Sequence, residues 1–334
     1  MSVAPRLTVV IASRTGLRES RPILEHLRGQ TIAASLEVIV VAPVGVVSPA
    51  ALNEFDGFES IQVVEVDRAE SRGVAAAHGL LRARARYAGP CENHAFPAAD
   101  ALELLISDRD DRDAAVAPAV RTANPETRRS LTMYFAAYGH AAVPADPSPR
   151  ETLPYHNGIF RADLLRDLGD RLPELMRDEG LLHAELRRQG WTLRIRPDAV
   201  TWHVNESRWS RAVTDAFILG AKFGTARGAV SSWTRRVGYA LAVPLIAALR
   251  LRVLVQAARR AEDTKDQVLG LVPMLILNAS VGALGEAWGG LRLMSQVPPE
   301  FELHEFHVRG RLAGVPPRAP WLREIVARMP ADLE

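Results

Sequence analysis

Cysteine is nearly absent: Cys91 is the only one in 334 residues, which excludes an intramolecular disulfide framework and a four-thiolate zinc site and fits a reducing compartment. Net charge is nearly absent too, with 41 Lys plus Arg against 39 Asp plus Glu, so there is no bulk electrostatic case for binding nucleic acid. No G-x-G-x-x-G follows the first strand-like run, which argues against a dinucleotide-dependent dehydrogenase. No Gly-rich phosphate loop with a nearby Lys follows it either, and Arg14-Thr15-Gly16 is a poor substitute, which disfavours a nucleotidyltransferase. Repeats and low-complexity tracts are missing. The opening MSVAPRLTVVIASR lacks a charged region ahead of a long apolar stretch, so no signal peptide is expected and a folded domain should begin within a few residues of Met1. What is present, 48% hydrophobic and 24% charged residues, is the composition of a folded globular chain with ample length for a core.

Short β-branched runs at Leu7 to Ala12, Leu36 to Ala42 and Ile61 to Val66 alternate with helical stretches at Leu17 to Gly29 and Ala69 to Tyr87. Such alternation predicts an α/β fold with a mostly parallel sheet covered by helices. Ligands of open sheets of this kind sit beyond the carboxyl ends of the strands, which draws attention to Ser13, Arg14 and the loop from Pro43 to Val47. The segment YAGPCENHAFP, from Tyr87 to Pro97, reads as irregular because Gly89 and Pro90 interrupt helical periodicity, and it presents Glu92, Asn93 and His94 together. Further on, a helix is expected over Pro97 to Ser107, a strand over Ala114 to Val120 and a helix over Glu126 to Tyr138. Residues 161 to 190 read as two helices broken near Pro173, and two extended pieces follow at Thr192 to Arg196 and Ala199 to Val204.

Composition changes after about residue 210. Val237 to Leu249 is uncharged for 13 residues and Val268 to Gly285 for 18, while Lys222 to Arg260 carries eight basic residues and no acidic one. The first run is too short for a bilayer core of about 30 Å at 1.5 Å per residue, and the second is marginal, with Asn278 and Ser280 inside it. A helical hairpin dipping into an anionic membrane surface fits that pattern. The other reading is a pair of amphipathic helices packed on the first domain. The tail from Pro298 is a Pro-interrupted loop with a short helix at Trp321 to Met329.

In order along the chain, VVIASR, GVAAAHGLLRARARYAGPCENHAFP, LPYHNGIFRADLL, RDEGLLHAELRRQGW and IRPDAVTWHVN resemble the ordered segments of the family 2 glycosyltransferases of GT-A fold, over residues 6 to 210. The helical region with LGEAWGG is similar to the membrane-associated tail of a bacterial subgroup that often carries Glu-Asp-His at the metal position. The resemblance implies a GT-A, Rossmann-like catalytic domain over 1–210, a helical membrane-associated region over 211–296 and a C-terminal extension over 297–334. It also implies an inverting transferase that moves a sugar from a nucleoside diphosphate sugar to a hydroxyl acceptor, lipid-linked or part of a cell-envelope glycan, at the cytoplasmic face of the membrane.

The resemblance implies particular roles. Glu92, Asn93, His94 and His203 fall at the metal position, for Mg²⁺ or Mn²⁺; Asn93 replaces the central aspartate, and a neutral amide is a weaker ligand for a hard cation. Glu179 takes the place of the catalytic base with Asp178 as its partner, since a carboxylate must accept the proton of the attacking hydroxyl. Helix capping is the structural alternative for that pair. Ser13, Arg14, Arg72 and His78 fall on donor-facing segments, and His156 and Asn157 on the acceptor side, where turn formation beside Gly158 is the other reading of Asn157. Ala12 replaces the usual proline of the first loop, Ala42 an acidic contact to the nucleotide base, and His78-Gly79 an Arg-Asn pair. Trp191 and Trp202 read as packing aromatics. A non-catalytic relative that binds nucleotide or a partner at the membrane is the rival function.

Overall fold

A computed structural model describes residues 4–14, 16–67, 71–229, 231–261, 267–292, 311–312 and 314–328, the side chains of Glu179, Ala226 and Ala229 excepted. The first strands are the apolar runs of the sequence: β1 (Leu7–Ala12), β2 (Leu36–Pro43) and β3 (Ser60–Val66), with helices α1 (Leu17–Leu27) and α2 (Arg72–Leu80) between and after them. β1 and β2 are buried almost throughout because helices cover both sheet faces, whereas β3, at the sheet edge, exposes Gln62 and Glu65. β4 (Tyr87–Cys91) and β5 (Ala95–Pro97) follow, then α3 (Ala101–Ile106), β6 (Asp113–Thr122), α4 (Arg128–Tyr138), β7 (Ile159–Arg161), α5 (Ala162–Leu168), α6 (Leu172–Met176), α7 (Glu179–Arg188) and β8 (Thr192–His203).

The strands form one sheet in the order β3-β2-β1-β4-β7-β6-β8-β5. It is mixed rather than mostly parallel. β1, β2, β3 and β4 run parallel and β6 pairs parallel with β8, but β7 is antiparallel to both β4 and β6, and β5 is antiparallel to β8. The short strands β5 and β7 carry too few residues to show a period in the sequence, which is why the expectation missed them. Nor is Tyr87 to Pro97 irregular. Gly89 and Pro90 lie within β4, where a Cβ at Gly89 would strike the Gly158 carbonyl and the Pro90 carbonyl accepts the Asn157 N–H at 2.8 Å. Residues 161 to 190 hold three helices rather than two, because Pro173 opens α6 instead of breaking a helix. The two extended pieces after Gly190 are one strand, β8, with an irregular register opposite Pro118 and Ala119.

Among the described residues, β8 is followed by α8 (Trp209–Ala229), α9 (Trp233–Leu241), α10 (Val243–Arg260) and α11 (Val268–Arg292). α8 and α11 meet backbone to backbone. A Cβ on Gly220 or Gly224 would collide with the carbonyls of Gly282 and Glu286, and one on Gly285 or Gly289 with those of Phe217 and Ala221. Glu286, buried in that contact, pairs with Arg227 of α8 and with Arg250 Nη2 of α10 at 2.6 Å. α10 and α11 also pack on α4, through Ala257 beside Gly139 and through Asn278, whose Nδ2 donates to Met133 Sδ at 3.7 Å. A single apolar core therefore runs from Leu131 and Phe135 into Leu254, Ala257, Leu271 and Leu275, across residue 210.

The outer faces of these helices remain apolar and exposed, including Trp233, Leu241, Leu245, Leu249, Val253 and Leu269. α11 is long and apolar enough to cross a membrane, and α9 with α10 makes a pair bent by 66°. Among the described residues the C-terminal helix, α12 (Pro320–Arg328), seats Trp321 against His26, Phe96 and Trp202.

Candidate functional site

β4 ends at Cys91, and the chain then turns under the site before β5, so Glu92, Asn93 and His94 sit at the carboxyl end of the parallel strands. His203 is the last residue of β8, paired with Ala95 of β5. The loop before β7 adds His156. Its position is fixed by Asn157, which adopts a left-handed backbone (φ 56°), donates its N–H to Pro90 and its side-chain amide to Thr201 Oγ1 at 3.2 Å. Three segments distant in sequence thus converge on one carboxylate.

Glu92 is buried, and its two oxygens have different company. Oε1 pairs with Arg72 Nη1 at 2.5 Å, from the first residue of α2. Oε2 lies 3.1 Å from His94 Nε2 and 3.7 Å from both His156 Nδ1 and His203 Nε2. The ligand atoms of Glu92, His156 and His203 all fall within 4.8 Å of one another. His156 stacks on His203 at 5.0 Å between ring centroids, and His94 meets His203 edge-on at 4.8 Å. Burial pushes the Glu92 carboxyl up, but Arg72 and the neighbouring imidazoles outweigh it and hold the group well below the usual carboxylate range. Burial keeps all three imidazoles neutral: His94 is lowered well below its ordinary value, His203 is lowered, and His156 falls to about 3. Nearby Arg311 adds to the lowering at His94 and His203.

Hydrogen bonds fix the ring of His203. Asn205 Nδ2 donates to Thr122 Oγ1 at 2.9 Å and to the His203 carbonyl, so its Oδ1, 2.9 Å from His203 Nδ1, is left to accept from that nitrogen. The proton is thereby placed on Nδ1 and the Nε2 lone pair faces Glu92 and Tyr138, whose hydroxyl is 3.0 Å away. His94 spans Glu92 and Asn93, with Nδ1 2.9 Å from Asn93 Oδ1.

A second buried carboxylate shows what a purely structural role looks like. Glu37 accepts from Thr8 Oγ1 (2.5 Å), the Arg84 N–H (2.8 Å) and Arg84 Nε (2.5 Å), so both of its oxygens are satisfied. At the other centre, Glu92 Oε2 and both ring nitrogens of His156 have no well-formed hydrogen bond among the described residues. An unmet buried donor or acceptor costs about 1–3 kcal/mol. Neutral imidazoles around an ionised carboxylate, with lone pairs left over, are a donor set that a divalent cation fits.

The remaining expected residues take varied places. Ser13 is buried and donates to the Gly16 carbonyl at 2.7 Å, shaping the loop beyond β1, and Arg14 is half-buried beside it. Because β1 neighbours β4, that loop adjoins the Glu92 segment. His78 lies six residues along α2 from Arg72, about 9 Å at 1.5 Å per residue. Asp178 caps α7, its Oδ1 accepting the Gly180 N–H at 2.9 Å. Glu179 is the first residue of α7, and its side chain lies outside what is described. The start of α7 is carried close to Arg72, because Gly73 abuts the Met176 carbonyl so tightly that a Cβ there would collide. Trp191 stacks under Arg161 and Trp202 under Arg121, as packing aromatics do.

Three members of the site escape a reading of the sequence. Tyr138 and Arg311 carry no local signal. Asn205 has one: two residues past His203 it falls on the same side of an extended chain.

The sequence matches no family model and no curated protein. Among solved structures, the fold is similar to mannosyltransferase PcManGT from Pyrobaculum calidifontis in complex with GDP-Man and Mn²⁺, with TM-score 0.49, 16% identity, 91% of this chain and 79% of that one. It is also similar to S. aureus TarS 1–349, with TM-score 0.43, 14% identity, 85% of this chain and 90% of that one. The complex of TarS 1–349 with UDP gives TM-score 0.43, 11% identity, 84% of this chain and 90% of that one.

Proposed function

We propose that the protein is an inverting glycosyltransferase of the GT-A, family 2 type, moving a sugar from a nucleoside diphosphate sugar to a hydroxyl acceptor that is lipid-linked or belongs to a cell-envelope glycan. The observation that carries the reading is the convergence of Arg72, Glu92, His94 and His203 at the carboxyl edge of the sheet, with the start of α7 set against Arg72 through Gly73 and Met176. Glycosyl transfer needs two things there: positive charge to receive a departing diphosphate and a carboxylate to take the acceptor proton. Arg72 and Arg311 supply fixed positive charge. A divalent cation, Mg²⁺ or Mn²⁺, held by Glu92 and His203, supplies further charge against the leaving phosphates when bound. Ser13 and Arg14 line the donor edge beyond β1. Asp178 fixes the first turn of α7, and Glu179, the residue it presents, removes the proton from the acceptor hydroxyl. A single displacement at the anomeric carbon inverts its configuration.

The exposed apolar faces of α9, α10 and α11, with Arg235, Arg252 and Arg259 beside them and no acid between Lys222 and Arg260, support docking on an anionic membrane surface at its cytoplasmic face. The rival reading, a nucleotide- or partner-binding protein without turnover, is favoured by Asn93, which leaves the metal motif with one anionic ligand fewer.

Calorimetry with UDP and GDP, each with and without Mn²⁺, identifies the donor base, and transfer is then followed with the matching nucleotide sugars. Glu179→Gln should lower transfer by about 10²–10⁴-fold with nucleotide affinity unchanged. Equal loss of binding would assign Glu179 a structural role, and no turnover with any donor would leave the non-catalytic reading.

A further inference from the structure

We infer that His156 is a metal ligand of this site, acting with Glu92 Oε2 and His203 Nε2, and that the site takes an imidazole-binding transition ion in preference to Mg²⁺. The inference rests on the glycosyltransferase reading only for the purpose of the ion; the ligand set stands on geometry.

His156 is fully buried, yet neither of its ring nitrogens has a hydrogen-bond partner among the described residues, and Nδ1 points at Glu92 Oε2 from 3.7 Å. A histidine kept only for packing would donate its N–H to a nearby carbonyl, as such groups do when buried. Here the loop is built the other way. Asn157 spends its backbone N–H on Pro90 and its amide on Thr201, so the turn is held without any help from His156, whose ring is free to face the carboxylate. The adjoining residues complete the arrangement. Arg72 occupies Oε1 of Glu92 and leaves Oε2 to the imidazole side. Asn205 holds the proton of His203 on Nδ1, so that Nε2 is the accepting nitrogen, met by the Tyr138 hydroxyl at 3.0 Å and open to an ion when that hydroxyl turns its proton away. His94 Nε2 lies 3.1 Å from Oε2 and its Nδ1 2.9 Å from the Asn93 amide oxygen, which places Asn93 behind the site as a positioning residue and not among the ligands.

Two imidazoles and one carboxylate are a borderline donor set. Mg²⁺ prefers oxygen ligands and retains its water, whereas Mn²⁺, Co²⁺ and Zn²⁺ accept imidazole nitrogen readily. The replacement of an anionic ligand by Asn93 is thereby offset on the nitrogen side, and the loss weakens binding of the hard ion more than that of the borderline one.

The test uses the full-length protein without nucleotide. Cobalt(II) titration followed by its visible ligand-field absorption should show one site, and millimolar Mg²⁺ should fail to displace the bound cobalt. His156→Ala should weaken cobalt binding at least tenfold, and His156→Gln, which keeps more of the side-chain volume, should do the same with its thermal unfolding unchanged. Pulsed electron paramagnetic resonance of the Mn²⁺-loaded parent protein, which needs no variant, should register nitrogen couplings from directly bound imidazole. Absence of those couplings, unaltered cobalt affinity in both variants, or displacement by Mg²⁺ at equal concentration would overturn the inference. Sugar transfer by a protein that binds no cobalt would sink the metal assignment and leave the transferase reading standing; cobalt bound through His156 with no transfer from any donor would do the reverse.

Discussion

Acidification should destabilise the protein through a histidine outside the cluster. His183, on α7, is buried with its ring stacked on Phe160 at 6.1 Å, and Nδ1 has no hydrogen-bond partner among the described residues. Burial lowers it first, and Arg187 and His140 add to this, bringing it from an ordinary 6.5 to about 4. The native state therefore resists the proton that the unfolded chain accepts, so the stability owed to the neutral ring is complete above the unfolded value of 6.5 and is lost as pH falls from there towards 4. At about 1.36 kcal/mol per pH unit, going from about pH 7.5 to about pH 4.5 removes about 2.5 kcal/mol through this one group. Urea unfolding at the two pH values, for the parent and for His183→Leu, isolates the contribution because every other titrating group is common to both. The drop in stability should be smaller by about 2.5 kcal/mol in the variant. Equal drops in the two proteins would refute the reasoning and show that the ring protonates in place.

Glu286→Ala should cost about 3–5 kcal/mol, since it leaves Arg227 and Arg250 facing a buried gap, and a thermal melt reads this directly. Gly285→Val should force α11 off the Phe217 carbonyl and give protein that is poorly soluble or melts far lower, whereas Gly238→Ala on α9, where a Cβ meets open space, should gain up to about 1 kcal/mol. Leu241→Glu with Leu245→Glu, at positions 79% and 61% exposed, should abolish flotation with anionic vesicles without moving the melting temperature; unchanged flotation would sink the membrane reading alone. Arg311→Ala should weaken binding of UDP or GDP several-fold while leaving the melt unchanged, and equal affinity would remove Arg311 from the diphosphate site.

Much of the fold is legible in the chain because burial on both faces writes itself as continuous apolar runs, as at Leu7 to Ala12 and Leu36 to Ala42. The antiparallel strands are not, since β5 and β7 have three residues each and hold their places through partners such as Thr201 and Ala88 that lie far along the chain. Of the site, Glu92, His94 and His203 carry the resemblance and are brought together by the fold. The closeness of His156 to them is a product of sheet order, because β7 must insert beside β4 before its preceding loop can reach the carboxylate. Tyr138 is the same kind of case, a helix-end residue whose hydroxyl meets a histidine 65 positions away. The late helices show in composition, but their mutual fit depends on which glycines face which carbonyls, and that is fixed only once α8 and α11 are side by side.

Helix α4 sets a distance. One side of it lies on α10 and α11, and its final residue touches His203, so the exposed apolar layer and the histidine-ringed carboxylate are two ends of one packed block. On the proposed membrane reading, such a block would act as a gauge, holding the site at a fixed height so that acceptor hydroxyls would be selected by their distance from the bilayer as well as by their chemistry.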